Sequence, residues 1–343
     1  MNSRYSWSSR LTHYLALNSP VSLELTFDLE RNLTTPANEH LEALHVTGLA
    51  RAGTTAFLKS LHSSGQFATQ TYKDMPFILA PNLWHHISKN WYRDINPKER
   101  AHKDGIEVDI NSPEAFDEVF WRLHCGHDYI TDSFLRVHEV SEEVLYLYHE
   151  YKNLVCHKYN KKKYLSKNNN HLLRIQSLVG RSNRDRFLII FRNPIDQSYS
   201  LLEQNENFSN IDKFTQRYMS WLSHFEFGDT HRPYRIYEDS LIEGPTTSLD
   251  YWIDRWMDAY SYLVEISRKN SEQLIFVGYE RLCSEQGYKE NLFEWLGVSK
   301  SQFPLTPKPG RQINLSIDPE KLSAADLLYQ QMLELSLKVI PIS

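Results

Sequence analysis

Apolar residues follow two rhythms along this chain. Three short runs are nearly continuous: Leu44–Thr47, Phe187–Phe191 (FLIIF) and Leu274–Tyr279 (LIFVGY). Compact runs rich in β-branched and aromatic residues, bounded by turn residues, predict buried strands. Each is followed by a loop and then by helical spacing, over Thr54–Ser64, from Pro194 to about Gln204, and over Lys289–Leu296. Pro194 suits a first helical turn, because its fixed φ is already helical and its missing N–H has no partner to lose. Strand, loop and helix in repetition predict an α/β fold with a central parallel sheet flanked by helices.

Helical spacing also covers Met1–Leu17, Ala80–Trp91, Pro113–Leu123, Glu139–His157, Leu172–Arg181, Phe214–His224, Leu249–Lys269 and Pro319–Leu337. Val21–Leu29 alternates apolar and polar residues, which favours a strand. Pro20 before it and Glu24, Asp28 and Glu30 within it suit a helix, so the pattern leaves both open. The polar stretch Lys158–Asn170 (KYNKKKYLSKNNN) reads as a solvated loop around Lys161–Lys163. No break resembles a domain linker. The expectation is one domain over 1–343, with a helical insertion at about 78–163.

Composition narrows the class. The 343 residues carry 38 Lys and Arg against 43 Asp and Glu, a formal charge of −5. That excludes a broad basic surface and so argues against nucleic acid or an anionic membrane as partner. Hydrophobic residues make up 41%, enough for a large core. The cysteines Cys125, Cys156 and Cys283 lie far apart, so no disulfide framework or cysteine-rich zinc site is expected. A reduced, cytoplasmic setting fits. No apolar run approaches the roughly 18 residues of a membrane span, and the first twenty residues lack a signal-peptide apolar stretch. His124-Cys125-Gly126-His127 offers two histidines without further ligands nearby, so no metal is expected.

The first chemical signal is Gly48-Leu49-Ala50-Arg51-Ala52-Gly53-Thr54-Thr55, between a strand and a helix. Backbone N–H groups of such a loop and the helix N-terminus point at an anion. The spacing is that of a Walker A loop, but Thr54 stands where nucleoside triphosphatases place lysine. Without that lysine, triphosphate chemistry loses its grip on the β- and γ-phosphates. The cation sits earlier, at Arg51, which suits a 5′-phosphate with one further anionic group. The second signal is Arg192-Asn193-Pro194-Ile195-Asp196-Gln197-Ser198-Tyr199-Ser200. A guanidinium at a strand end and a hydroxyl on the next helix can grip another phosphate.

Together, GLARAGTT and RNPIDQSYS resemble the sulfotransferases that use 3′-phosphoadenosine 5′-phosphosulfate (PAPS), particularly the bacterial carbohydrate and tyrosylprotein types. The similarity spans roughly Leu44–Asp74, Tyr164–Gln204 and Leu274–Val298, with Ala52 where serine is common. The resemblance implies a P-loop-like sheet and transfer of a sulfuryl group from PAPS, without a metal, to an acceptor hydroxyl. It implies that Gly48, Arg51, Ala52, Gly53, Thr54 and Thr55 bind the 5′-phosphosulfate, and that Arg192 and Ser200 bind the 3′-phosphate. It adds Tyr279, in Tyr279-Glu280, and Arg311, in a late basic turn, on the nucleotide side. Arg51 and Lys167 are the implied sulfuryl cations, and Asp74, where glutamate is usual, is the implied base. Glu107, Asp109 and His124 are rival bases.

The aromatic-rich segment between Asp74 and Lys167, with Trp84, Trp91, Tyr92, Trp121, Tyr146 and Tyr148, suggests a cleft for a carbohydrate or glycoconjugate acceptor. Aromatics at helical spacing equally suit a core. Two other functions remain open on the residues alone: a P-loop kinase, which Thr54 opposes, and an inert nucleotide-binding module.

Overall fold

The three apolar runs become adjacent strands of one parallel sheet. The computed structural model describes residues 7–36, 41–89, 98–99, 107–209, 211–240, 242–270, 272–298 and 317–339. Their strands are β1 (Glu42–Thr47), β2 (Phe67–Ala68), β3 (Lys98–Glu99), β4 (Glu107–Val108), β5 (Leu135–Arg136), β6 (Lys163–Lys167), β7 (Asp185–Phe191), β8 (Tyr234–Arg235) and β9 (Leu274–Gly278). Five of them form the central sheet in the order β2-β6-β1-β7-β9, all parallel. The α/β expectation is therefore met.

Side chains alternate across this sheet, and each face has its own core. Phe187, Ile189, Phe191, Leu274 and Phe276 face one side, with Trp256, Tyr260 and Leu263 of the helix Leu249–Ser267. Leu188, Ile190, Ile275 and Val277 face the other, with Phe57, Leu58 and Leu61 of the helix Thr54–His62. Both faces are covered, which is why these strands read as continuous apolar runs. Each large side chain so buried contributes roughly 1.5–3 kcal/mol.

Two local expectations change. The alternating stretch lies in a helix, Pro20–Leu33, with Pro20 in its first turn. Leu23, Phe27 and Glu30 form its buried stripe at helical spacing, while Val21, Leu25 and Leu29 point outward. The exposed leucines created the false alternation. The Lys158–Asn170 loop is the second change. Lys161 and Lys162 are exposed, but Lys163–Lys167 is a strand inserted between β2 and β1. Its sequence, KYLSK, shows no apolar run because Ser166 and Lys167 have buried partners. The Ser166 hydroxyl meets His45 Nδ1 at 2.9 Å, and Lys167 Nζ lies 3.7 Å from Glu114.

The strand order places the site. From β1 the chain passes to β2 on one flank, whereas β7 and β9 lie on the other. The crevice beyond the carboxyl ends of β1 and β7 is thus where the connections diverge, the usual ligand position in open α/β sheets. The loop Gly48–Thr55 leaves β1 there, and Arg192 leaves β7 beside it. Among the described residues, no helix is long and apolar enough to cross a membrane.

Candidate active site

The loop after β1 is shaped by two close approaches. Gly48 has φ +135°, and a Cβ there would stand 2.3 Å from the Ile190 carbonyl of β7. Gly53 has φ +95°, and a Cβ there would stand 2.3 Å from the Tyr279 ring. Only glycine fits either position. Gly53 is also the N-cap of the helix Thr54–His62, and it offers no side-chain acceptor to the first-turn N–H groups. An N-terminus capped this way presents donors and a positive dipole end to an anion. Thr54 and Thr55 form that first turn, and Ala52 packs inside with no exposure. Arg51 itself adopts a left-handed φ of +68°, a conformation that residues with a Cβ seldom take.

The next motif holds this loop from behind. Gln197 donates its amide to the carbonyls of Leu49 and Ala50 at 3.2 and 3.0 Å. Gln197 is fixed in turn by Trp256 Nε1 at 3.0 Å, and Tyr260 donates to the Ile190 carbonyl at 2.8 Å. At the front, Arg51 Nε donates to Ser200 Oγ at 3.1 Å. Arg192 is buried at the end of β7, only 6% exposed. Its guanidinium lies 3.6 Å from Glu280, 3.8 Å from Asp196 and 5.8 Å from the Tyr279 ring centre. Glu280 also accepts from the Asn193 backbone N–H at 3.0 Å, tying the short helix Tyr279–Ser284 after β9 to the start of the helix Pro194–Phe208. The loop, Arg192, Ser200 and Tyr279 therefore meet in one crevice. Arg311 lies outside the described residues.

Lys167 ends β6 beside Val46 of β1, so its backbone reaches the same carboxyl edge. Its side chain is buried next to Glu114. Asn168 then turns the chain, giving its side-chain amide to Glu118 at 2.6 Å and Asp117 at 3.1 Å. Glu118 is gripped by both terminal nitrogens of Arg174 at 2.8 and 3.0 Å. Burial pushes the Glu118 carboxyl up, but the Arg174 charge and hydrogen bonds outweigh it and bring the value down to about 2. Arg174 is sandwiched between Trp121 and Tyr129, 4.7 and 4.8 Å from their ring centres. This buried block anchors the turn that follows Lys167.

Asp74 is fully enclosed, with no exposed surface. One oxygen accepts from the Thr71 N–H at 2.7 Å and from the Tyr159 hydroxyl at 2.6 Å. The other is paired with Lys158. The rivals stand elsewhere. Glu107 is exposed, Asp109 orders its own turn with Asn111 and Ser112, and His124 packs 4.4 Å from the Phe120 ring. Of the aromatics, Trp84, Trp121 and Tyr148 are buried and Tyr146 is exposed. Trp91 and Tyr92 lie outside the described residues.

No family model matches the sequence, and no curated protein matches it. Solved structures do. Across 100% of this chain and 88% of the other, the structure superposes on sulfotransferase STF9 from Mycobacterium avium with a TM-score of 0.50 at 12% identity. The chain has a sulfotransferase fold. Two further matches are sulfotransferase STF1 from Mycobacterium tuberculosis H37Rv, at TM-score 0.41 and 12% identity, and a sulfotransferase from Alicyclobacillus acidocaldarius, at 0.37 and 14%. They cover 95% and 88% of this chain, and 84% and 96% of their own.

On this sulfotransferase fold, sequence reasoning finds the loop and the Arg192–Ser200 helix, and it misses what holds them. Gln197 and Tyr260 carry no motif signal, because their partners are main-chain carbonyls far away in sequence. Glu114 carries no motif signal inside the predicted helix Pro113–Leu123. The helix starts later, at Glu118; before it, Pro113 bridges Thr71, Glu114 lies beside Lys167 and Asp117 accepts from Asn168. Glu280 had a signal, as the neighbour of Tyr279.

Proposed function

We propose that this protein is a PAPS-dependent sulfotransferase acting on an acceptor hydroxyl, with a carbohydrate as the favoured class. The observation that carries the reading is the Arg51–Ser200 contact. It joins a lysine-free phosphate loop to a second cation–hydroxyl pair across one crevice. A nucleotide with anions at both its 5′ and 3′ positions fits two such grips, and a triphosphate chain does not need the second.

In this reading the loop N–H groups, Thr54 and Thr55 hold the 5′-phosphosulfate, and Arg192 and Ser200 hold the 3′-phosphate. Sulfuryl transfer runs in line. The acceptor oxygen bonds to sulfur as the bond from sulfur to the phosphate oxygen breaks, and 3′-phosphoadenosine 5′-phosphate (PAP) leaves. Arg51 and Lys167 stabilise the charge that gathers on the transferring group and the leaving oxygen. The acceptor proton needs a base. Glu114 suits that role better than Asp74. It stands beside Lys167 at the carboxyl edge, with its Oε1 also accepting from the Ala115 N–H at 3.1 Å. Asp74 is already engaged at both oxygens.

Thermal stabilisation tests the donor. PAP should raise the melting temperature more than either AMP or Mg²⁺-ATP. A preference for ATP, or indifference to the 3′-phosphate, overturns the reading.

A further inference from the structure

A small slot lies against the phosphate loop, on the side of the helix Leu249–Ser267. It has a volume of about 30 Å³. Leu49 and Ala50 of the loop form one wall and Leu201 of the neighbouring helix another. Pro233, Tyr234 and Trp252 keep it mostly apolar. Against this lining sits the guanidinium of Arg255, which is only 6% exposed. Arg255 Nη2 reaches Asp258 at 3.1 Å. Its Nε and Nη1 are buried and make no hydrogen bond to any described residue.

A buried guanidinium with two idle donors is costly, because desolvation has removed their water partners. Such a group is stabilised when an anion enters. The other charges at the slot leave room for one. Arg232 lines it as a second cation, stacked 4.3 Å over Phe225. Glu226 is the single carboxylate, and it accepts from Asn169 at 3.3 Å. His231 bonds the Tyr251 hydroxyl at 2.8 Å and is held neutral by burial, its value pushed down to about 4. Asp258 answers one face of Arg255 from outside the lining, and Tyr251 stacks on the guanidinium at 5.2 Å, but Nε and Nη1 stay without an acceptor among the described residues. A water needs roughly 10–15 Å³, so about 30 Å³ admits a carboxylate group but not a whole sugar ring.

We infer that this slot is a subsite for an anionic substituent of the acceptor, a carboxylate that pairs with Arg255 while the rest of the molecule lies outside. The inference rests on the sulfotransferase reading for the word acceptor, and on Arg255 alone for the anion. The Leu49–Ala50 wall places the subsite next to the loop, so the slot acts on which acceptors are retained near the donor. A sulfate ester offers the same charge in a bulkier, tetrahedral form, and the experiment separates the two.

The probes are glucuronate, glucose 6-sulfate and glucose, titrated by calorimetry into the full chain with and without saturating PAP. PAP occupies the donor crevice, so binding in its presence reports another site. Glucuronate should bind the PAP-loaded protein at least about tenfold more tightly than glucose. Arg255→Gln should remove that difference, and Arg255→Lys should retain part of it while keeping the fold. Equal binding of glucuronate and glucose, or glucuronate binding unchanged in both variants, overturns the inference. Tighter binding of glucose 6-sulfate than of glucuronate overturns the carboxylate assignment. Failure of PAP to bind overturns the donor reading instead, and the Arg255 comparison without PAP still decides the subsite.

Discussion

Arg51 and Ser200, 149 residues apart in the chain, share a hydrogen bond of 3.1 Å across the crevice between β1 and β7. The bond makes the phosphate loop and the helix Pro194–Phe208 two walls of one site. It also gives Arg51 a partner that, in the proposed reaction, the sulfuryl group would replace.

Arg192→Ala should weaken PAP binding by roughly 10- to 100-fold, the effect of losing a charge-assisted hydrogen bond worth about 1.5–3 kcal/mol. AMP, which lacks the 3′-phosphate, should bind the variant and the parent alike. Calorimetry with both nucleotides reads the difference. A parallel loss for AMP would mean that Arg192 holds the fold of the crevice and not the 3′ group.

Glu114→Gln should lower kcat by about 10²- to 10⁴-fold, the range for losing a general base, with PAP affinity retained. Asp74→Asn should instead lower the melting temperature, since it disturbs the Thr71, Lys158 and Tyr159 contacts. Stopped transfer in a stable Asp74→Asn protein, with Glu114→Gln active, would return the base to Asp74.

Gly53→Ala should destabilise the protein by about 1–3 kcal/mol through overpacking, because its Cβ enters the Tyr279 ring. Adding Tyr279→Ala should recover part of that loss. The unrecovered part belongs to the backbone, which holds φ at +95°. Urea denaturation of both single variants and the double variant measures the split.

Glu118→Gln should cost about 3–5 kcal/mol, as expected for a buried pair left with one charge. The pair also sets an acid limit. The folded carboxyl sits near 2 and its ordinary value is 4.5, so its contribution is complete above pH 4.5. It is lost as the pH falls from 4.5 toward 2. Denaturation at stepped pH should show this loss in the parent and not in the variant.

Buried histidines act in a higher window. His45 and His231 are pushed down to about 4 and His138 to about 3, each chiefly by burial, from an ordinary 6.5. Between pH 6.5 and 4 the unfolded chain therefore binds more protons than the folded one. Stability should fall steadily as the pH drops through that interval. A melting temperature that is flat from pH 6.5 to 4.5 would contradict it.

The sequence was most legible where one physical demand dominates. β7 and β9 must be apolar on both faces, and FLIIF and LIFVG show it directly. The loop after β1 must turn sharply under an anion, and its two glycines show that. Legibility fails where a partner distant in the chain rewrites a local signal. The polar stretch Lys158–Asn170 hides the strand Lys163–Lys167 until His45, Glu114 and the flanking strands are placed around it. Val21, Leu25 and Leu29 look like one face of a strand because they are the apolar residues that the core does not use. Asp74 occupies an expected position in the chain, but Lys158 and Tyr159, more than eighty residues on, take up its oxygens.

The polar character of β6 carries a final consequence for how the sheet assembles. Lys167 pairs in register with Val46, and Ser166 with His45. A slip of one residue would reverse the faces of the whole strand. The ammonium group would then lie under the sheet, against the neutral ring of His45, and Tyr164 would leave the core. That arrangement carries an uncompensated buried charge and is strongly disfavoured. Lys167 thus doubles as a proofreading device: the residue to which the proposed chemistry gives a catalytic role also rejects the misaligned sheet.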